Sequence, residues 1–183
     1  MITDSIVDMA RKESTTQGVS LALILGVIET ESSGDTWAYN PEPKYHWLWD
    51  FKNQRPFRAI TKAEDCSEFP PDDFSAPAGA DTDAEWWGQQ ASWGLMQVMG
   101  AVAREHGYGG RFLTSLCDPA TGVWVGTVVL KSLLKRWGDP EMAAASYNAG
   151  SVSFRPGGKE FTNQRYVDKV ITASKRWQAM GVA

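Results

Sequence analysis

The sequence predicts a mainly α-helical domain interrupted by one long irregular insertion. Three observations predict it. The run Leu21 to Asp35, L-A-L-I-L-G-V-I-E-T-E-S-S-G-D, puts Leu21, Ile24, Leu25 and Ile28 at i, i+3, i+4 and i+7, which is one face of a helix. Two Asp-Pro pairs, at 118–119 and 139–140, each supply an N-cap acid followed by the residue favoured at the first helical position. Between residues 35 and 86, prolines at 41, 43, 56, 70, 71 and 77 exclude a long helix. Signals for strands are few.

In chain order, residues 4–14 form a first amphipathic helix, with Ile6, Val7, Met9 and Ala10 on its apolar side and Asp4 as its cap. Thr16 to Gly18 form a break. In the second helix Leu23 and Val27 widen the apolar face over most of the circumference, the mark of a buried helix, and Gly34 ends it. The insertion, about residues 35–86, is expected to hold only short pieces, among them a helical turn near Leu48 to Lys52. Insertions this long are uncommon in compact domains and are often functional. Residues 87–100, W-G-Q-Q-A-S-W-G-L-M-Q-V-M-G, form a compact turn region, and Gly107 stops a short helix over Ala101 to His106. A helix from Asp118 to Trp137 turns Val125, Val128, Val129, Leu133 and Trp137 to one side. Another runs from Asp139 through Tyr147. Thr162 opens the last, with Tyr166, Val170, Ala173 and Trp177 inward. No repeat is visible, so a single domain spanning 1–183 is expected.

Composition narrows the function. Hydrophobic residues make up 43% and charged residues 22%, ordinary for a globular chain. A net charge of −4 without a dense Lys/Arg cluster argues against nucleic acid as a partner. No apolar run reaches the length of a transmembrane segment. The N-terminus, M-I-T-D-S-I-V-D, carries acids where a signal peptide carries bases, so none is expected. Cys66, Cys117, His46 and His106 show no metal-ligand spacing, so no metal site and no cofactor are expected. Two free thiols are expected. A Cys66–Cys117 disulfide, the alternative, would add about 4 kcal/mol by closing a long loop.

Two features point to chemistry. At about 100° per residue, Glu31 projects between Ile24 and Val27, and Glu29 between Ala22 and Leu25 beside Gly26. Glu31 therefore continues the buried stripe more closely. Lost hydration there raises the pKa of a carboxylate, as a general acid working near neutrality requires. The alternative is a frayed helix end with solvated glutamates. The second feature is tryptophan. Of nine, Trp37, Trp47, Trp49, Trp86, Trp87 and Trp93 lie between 37 and 93. Either they build a core, or the Trp47/Trp49 and Trp86/Trp87 pairs border a groove and stack on sugar rings.

Four motifs then stand in order: Glu31-Ser32 at the end of the buried helix, Gly94-Leu95-Met96-Gln97 after a loop, Ser146-Tyr147-Asn148-Ala149-Gly150 closing a later helix, and Tyr166-Val167-Asp168-Lys169-Val170 in the last one. Over about residues 19–177 the chain resembles the soluble, lysozyme-like type of lytic transglycosylase. That family shows E-S, G-L-M-Q, A-Y-N-x-G and Y-V-x-x-V in the same order. The resemblance implies a lysozyme-like α-helical fold. It also implies cleavage of peptidoglycan between N-acetylmuramic acid and N-acetylglucosamine, with Glu31 as acid and then base and a 1,6-anhydro ring as product. Ser32 is the family's next residue, and is read as a helix-end hydrogen-bonder in the site rather than a reactant. Met96 and Gln97 are implied to line the saccharide groove, with packing as the alternative for Met96. Tyr147 is implied to lie close to the catalytic carboxylate, with a structural hydroxyl as the alternative, and Asn148 to support its turn.

Two departures stand out. Residues 33–93 separate the first two motifs, more than the family usually allows. The family's serine before G-L-M-Q falls on Gly88, leaving Ser92 as a substitute hydroxyl for the N-acetyl group. Two alternatives share the scaffold: a goose-type muramidase, in which a loop acid such as Asp35, Glu42 or Asp50 positions water, and a non-catalytic glycan-binding module. A monomer acting on glycan strands of the bacterial cell wall is expected. Phage endolysins and tail-associated lysins fit that description.

Overall fold

The structure is a computed structural model that describes residues 1–65 and 67–181. The first half of the chain holds α1 (Asp4–Gln17), α2 (Leu21–Ser32), β1 (Tyr39–Pro41), β2 (Trp49–Asp50), β3 (Arg55–Pro56), α3 (Lys62–Asp65) and α4 (Thr82–Gln89). The second holds β4 (Ala91–Trp93), β5 (Val98–Met99), α5 (Gly100–Glu105), a 3-10 turn (Leu113–Cys117), α6 (Pro119–Trp137), α7 (Pro140–Ala149) and α8 (Gln164–Ala179). The mainly α-helical class expected from the sequence is the one observed. The chain forms two compact units, residues 1–35 with 126–183, and residues 36–125. No helix among the described residues is long and apolar enough to cross a membrane. Cys66 lies outside the described residues, and with it the question of its pairing; Cys117 is buried.

In the first unit, α2 is the core. Its residues Leu21 to Ile28 are all buried, as its apolar circumference demands. α8 lies along it through Val167, Val170 and Ala173. Gly26 makes the close approach possible, since a Cβ there would fall 2.8 Å from the Val170 carbonyl oxygen. α7 packs on α8 around Ala145, Phe161 and Val167. The helix starts follow the sequence. Asp139 accepts the Met142 amide at 2.8 Å, and Asp118 accepts that of Thr121 at 2.9 Å.

Some boundaries differ from expectation. Thr3 caps α1 in place of Asp4, accepting the Ile6 amide at 3.4 Å, and α1 runs on to Gln17. Ser33, not Gly34, takes the left-handed cap of α2 with φ 54°. Gly34 is needed one residue later, where a Cβ would meet the Met1 carbonyl carbon at 2.7 Å. α8 starts at Gln164, two residues after Thr162.

The second unit contains the insertion, and it is less irregular than its prolines suggest. β1, β4 and β5 form an antiparallel sheet in which Tyr39 faces Trp93 and Trp93 faces Val98. Residues 87–100 thus hold the end of α4 and a tight hairpin. Leu48 to Lys52 is no helical turn. Trp49 and Asp50 pair with Pro56 and Arg55 in a second hairpin, because Asp50 binds the turn. Its carboxylate accepts Asn53 through the side chain (2.7 Å) and the backbone (3.1 Å). Gln89, fully buried, completes the edge by accepting the Trp49 amide (2.8 Å) and donating to its carbonyl (3.0 Å). On exposed ground, Arg58 bridges Glu64 and Asp73, and these contacts with Thr61 hold the Glu64 carboxyl down at about 2.

The adjacent tryptophans separate. Trp86 is 2% exposed and packs edge-on against Phe74 beside Leu48, whereas Trp87 is 42% exposed. Neighbours on a helix diverge by about 100°, so only one can face the core. Trp86 therefore does not border a groove, in contrast to the expectation for its pair. Trp37 and Trp47 are each 77% exposed, Trp47 with Tyr45 edge-on against it. Trp86→Ala should cost about 3–5 kcal/mol of stability, and Trp47→Ala less than about 0.5 kcal/mol. If its ring stacks on sugar, the alternative left by the sequence, Trp47→Ala should instead weaken binding to glycan. Thermal melts and glycan pull-down on the two variants check the contrast.

Candidate active site

Glu29 and Glu31 both stand in the last turn of α2, where the negative end of the helix dipole opposes their charge. Both are half-buried, so depth does not distinguish them as the helical wheel suggested. Side chains of α8 reach both of them, Tyr166 at Glu31 and Arg176 and Trp177 at Glu29. What differs is the partner. Glu29 receives the Arg176 guanidinium and, at 3.0 Å, the Trp177 indole N–H. An arginine keeps its charge in any protein, so the partner of Glu29 is a permanent cation. The Oε1 atom of Glu31 accepts the Tyr166 hydroxyl at 2.5 Å. That hydrogen bond comes from an uncharged group, which can partner a carboxylate or a neutral acid.

Tyr166 stays uncharged. Burial, then the charge of Glu31 and the hydrogen bond to it, push its pKa far above the ordinary tyrosine value. Tyr147, on α7, is pushed well up as well, first by burial and then by the charge of Glu31. Two phenols therefore approach one carboxylate, and both remain hydroxyl donors at any working pH.

The end of α7 is fixed by Asn163. Its side-chain amide donates to the Ala145 carbonyl (3.0 Å) and to Asn148 Oδ1 (2.9 Å). Gly150 then turns the chain in the left-handed region, with φ 73°. Asn148 stands exposed beside Glu31 in a cavity of ≈ 480 Å³ that Asn163, Tyr166, Arg165 and Lys169 also line. Ser32 serves the helix end, donating to the Ile28 carbonyl and accepting the Gly34 amide, each at 3.2 Å.

The remaining motif residues belong to the second unit. Gly94 to Gln97 form the turn between β4 and β5. Gly94 has φ 67°, and a Cβ there would collide with the Leu116 carbonyl oxygen. Gln97, half-buried, braces the turn by donating to the carbonyls of Ala38 (2.9 Å) and Gly94 (3.0 Å). Met96 is fully buried, so its side chain is packing and offers no surface to a groove. Ser92 is buried too. Its hydroxyl donates to Glu42 Oε1 at 3.2 Å and lies 3.0 Å from Met99 Sδ, so it is engaged inside this unit. Of the acids considered as second carboxylates, Asp50 is not a solvated loop acid. Burial opposes its charge, but hydrogen bonds from Asn53 and Ser75 and the charge of Arg55 outweigh that and hold its carboxyl below the usual range.

The structure thus gathers Glu31, Tyr147 and Asn148 as the motifs proposed, and adds Tyr166, Asn163, Arg165 and Lys169. Tyr166 had a signal, as the first residue of the Y-V-x-x-V pattern. The others had none.

Helix order, the glutamate at the end of a buried helix and the flanking tyrosines define the class, a lysozyme-like α-helical domain. The chain belongs to the transglycosylase SLT domain family, whose model matches residues 8–166, from α1 to Tyr166 itself. Membership gives it a peptidoglycan-cleaving function of the lytic-transglycosylase type. No curated protein matches the chain.

Proposed function

We propose that the chain is one transglycosylase domain that cleaves the β-1,4 bond between N-acetylmuramic acid and N-acetylglucosamine, with Glu31 as acid and then base. The observation that supports this most is the hydrogen bond from the neutral Tyr166 hydroxyl to Glu31. A carboxyl so partnered is oriented without being fixed in one protonation state. In its neutral form Glu31 donates a proton to the glycosidic oxygen as the C1–O bond breaks through an oxocarbenium-like state. The carboxylate left behind takes the proton of the muramic acid's own 6-hydroxyl, whose oxygen bonds to C1 and closes the 1,6-anhydro ring. The proton count balances and water is not consumed. Tyr166 donates to the carboxylate that carries the negative charge in the second half and stays protonated, with the neutral phenol of Tyr147 close by.

A muramidase needs a second carboxylate to activate water or to trap C1. Asp50 is committed to its hairpin, and Glu42 accepts hydrogen bonds from Asn40 and Ser92, each at 3.2 Å. Asp35, Glu42 and Asp50 should therefore be replaceable one at a time by Asn or Gln with the fraction of anhydro ends unchanged. Chromatography of the released muropeptides reads that fraction. Loss of all cleavage in one of these variants, with the fold retained, would make that residue a catalytic base and the protein a hydrolase.

A further inference from the structure

Two cations beside Glu31 have no task in the chemistry above. Arg165 and Lys169 are four residues apart on α8, so they share one face of the helix. Both are exposed, and among the described residues neither forms an ion pair. The charged groups around them have partners of their own. Glu29 is paired with Arg176, Arg155 with Glu160 at 3.1 Å, and Asp168 accepts Gln164 at 2.9 Å. Two unanswered positive charges therefore stand beside the reactive carboxylate in a chain whose net charge is −4.

Their position is specific. Arg165 and Lys169 line the cavity that holds Glu31, and they also line a second cavity of ≈ 540 Å³ within the same unit. Thr30 is shared as well, so the two spaces meet along these three side chains. The second cavity carries the hydroxyls of Ser33 and Thr172 and the apolar Ala173 beside the Glu29–Arg176 pair and Asp168. Such a mixture suits a peptide, whose amides need hydrogen bonds and whose side chains need apolar contact.

A neutral sugar ring gives a cation nothing to pair with. The muramic acid does, because its lactyl group carries the peptide stem, and the stem carries carboxylates. We propose that Arg165 and Lys169 pair with a carboxylate of the stem and that the second cavity holds the peptide, so that the enzyme selects muramic acid residues bearing a stem. This rests on the peptidoglycan reading above. The carboxylate could come from a second source, since a strand stripped of its stems exposes the lactyl carboxylate directly. The volume beyond the two cations favours the stem.

Binding to the full chain carrying Glu31→Gln separates these cases, because nothing is consumed. Three probes are compared by calorimetry: soluble glycan strands with tetrapeptide stems, the same strands after amidase removal of the stems, and tetra-N-acetylchitotetraose. Adding Arg165→Gln and Lys169→Gln should weaken binding of the stem-bearing strands by about fivefold or more, from two exposed charge pairs. The neutral chitotetraose should change by less than about twofold, and added salt should erase the difference. An equal loss with all three probes, or no loss with stem-bearing strands, would overturn the proposal. A loss confined to the stripped strands would overturn the stem in favour of the lactyl carboxylate. If the unaltered protein releases anhydro ends while these substitutions leave binding unchanged, this inference fails alone. If it cleaves nothing, the peptidoglycan reading fails first.

Discussion

Glu31→Gln should leave the fold intact and lower glycan cleavage by at least about 10²–10⁴-fold, the usual loss on removing a general acid–base group. The amide is close to the carboxyl in shape and still accepts the Tyr166 hydroxyl, so a melt should hardly move. It cannot give up and regain a proton at the glycosidic oxygen. Glu29→Gln is the matched control, two residues earlier in the same helical turn. It exchanges a half-exposed ion pair with Arg176 for a neutral contact, worth about 0–1 kcal/mol, and should keep most of the activity. Turnover of labelled cell walls by the two variants decides between them. If Glu29→Gln were the inactive one, the assignment of Glu31 would be wrong, and with it the role given to Tyr166.

A large loss of stability, matching that of Trp86→Ala, should come from Arg104→Ala, far from the reacting groups in sequence. Arg104 and Glu85 are both buried and face each other as a fork, with Nε and Nη2 each 2.8 Å from a carboxylate oxygen. The remaining Nη1 donates to the carbonyls of Tyr108 (2.8 Å) and Gly110 (2.7 Å). Gln89 adds a third donor to Glu85 at 2.9 Å. Removing the guanidinium strands a buried carboxylate and two carbonyls, which costs about 3–5 kcal/mol. For a chain of this length that is a fall in Tm of roughly 6–20 °C. Replacing both partners, as in Glu85→Leu with Arg104→Met, should recover most of it, since no charge is then left unpaired. Differential scanning calorimetry of the single and double variants tests this. A double variant as unstable as the single would show that packing around the site, not the stranded charge, sets the cost.

The helices were legible because their signals are local. An Asp-Pro start, a left-handed stop and the apolar period of α2 each act within a few residues, and each appears where the sequence puts it, within a turn. The order of the four motifs carried the family and the candidate glutamate. What the sequence did not reveal depends on distant partners. Gly26 looks like a flaw in a good helix until Val170, 144 residues on, lies against it. Nothing near Glu29 announces Arg176, so the helical wheel separated the two glutamates by depth when partners separate them. Asp50 resembles any loop acid, and only the hairpin and Ser75 show why it is buried. Met96 shares a motif with Gln97, yet a tight hairpin directs consecutive side chains differently and buries the methionine. Arg165 and Lys169 gave no signal because exposed cations on a helix are ordinary, and their meaning comes from the cavities they line.

The central claim is that one carboxyl carries both proton transfers and that the sugar's own hydroxyl, not water, attacks C1. The mass of the muropeptides released from intact cell walls tests it most directly, because a transglycosylase product and a hydrolase product of the same fragment differ by one water. The account predicts masses with that water missing and muramic ends that resist borohydride reduction. Reducible muramic ends at the hydrated mass, formed by the unaltered protein and incorporating oxygen from labelled water, would contradict it.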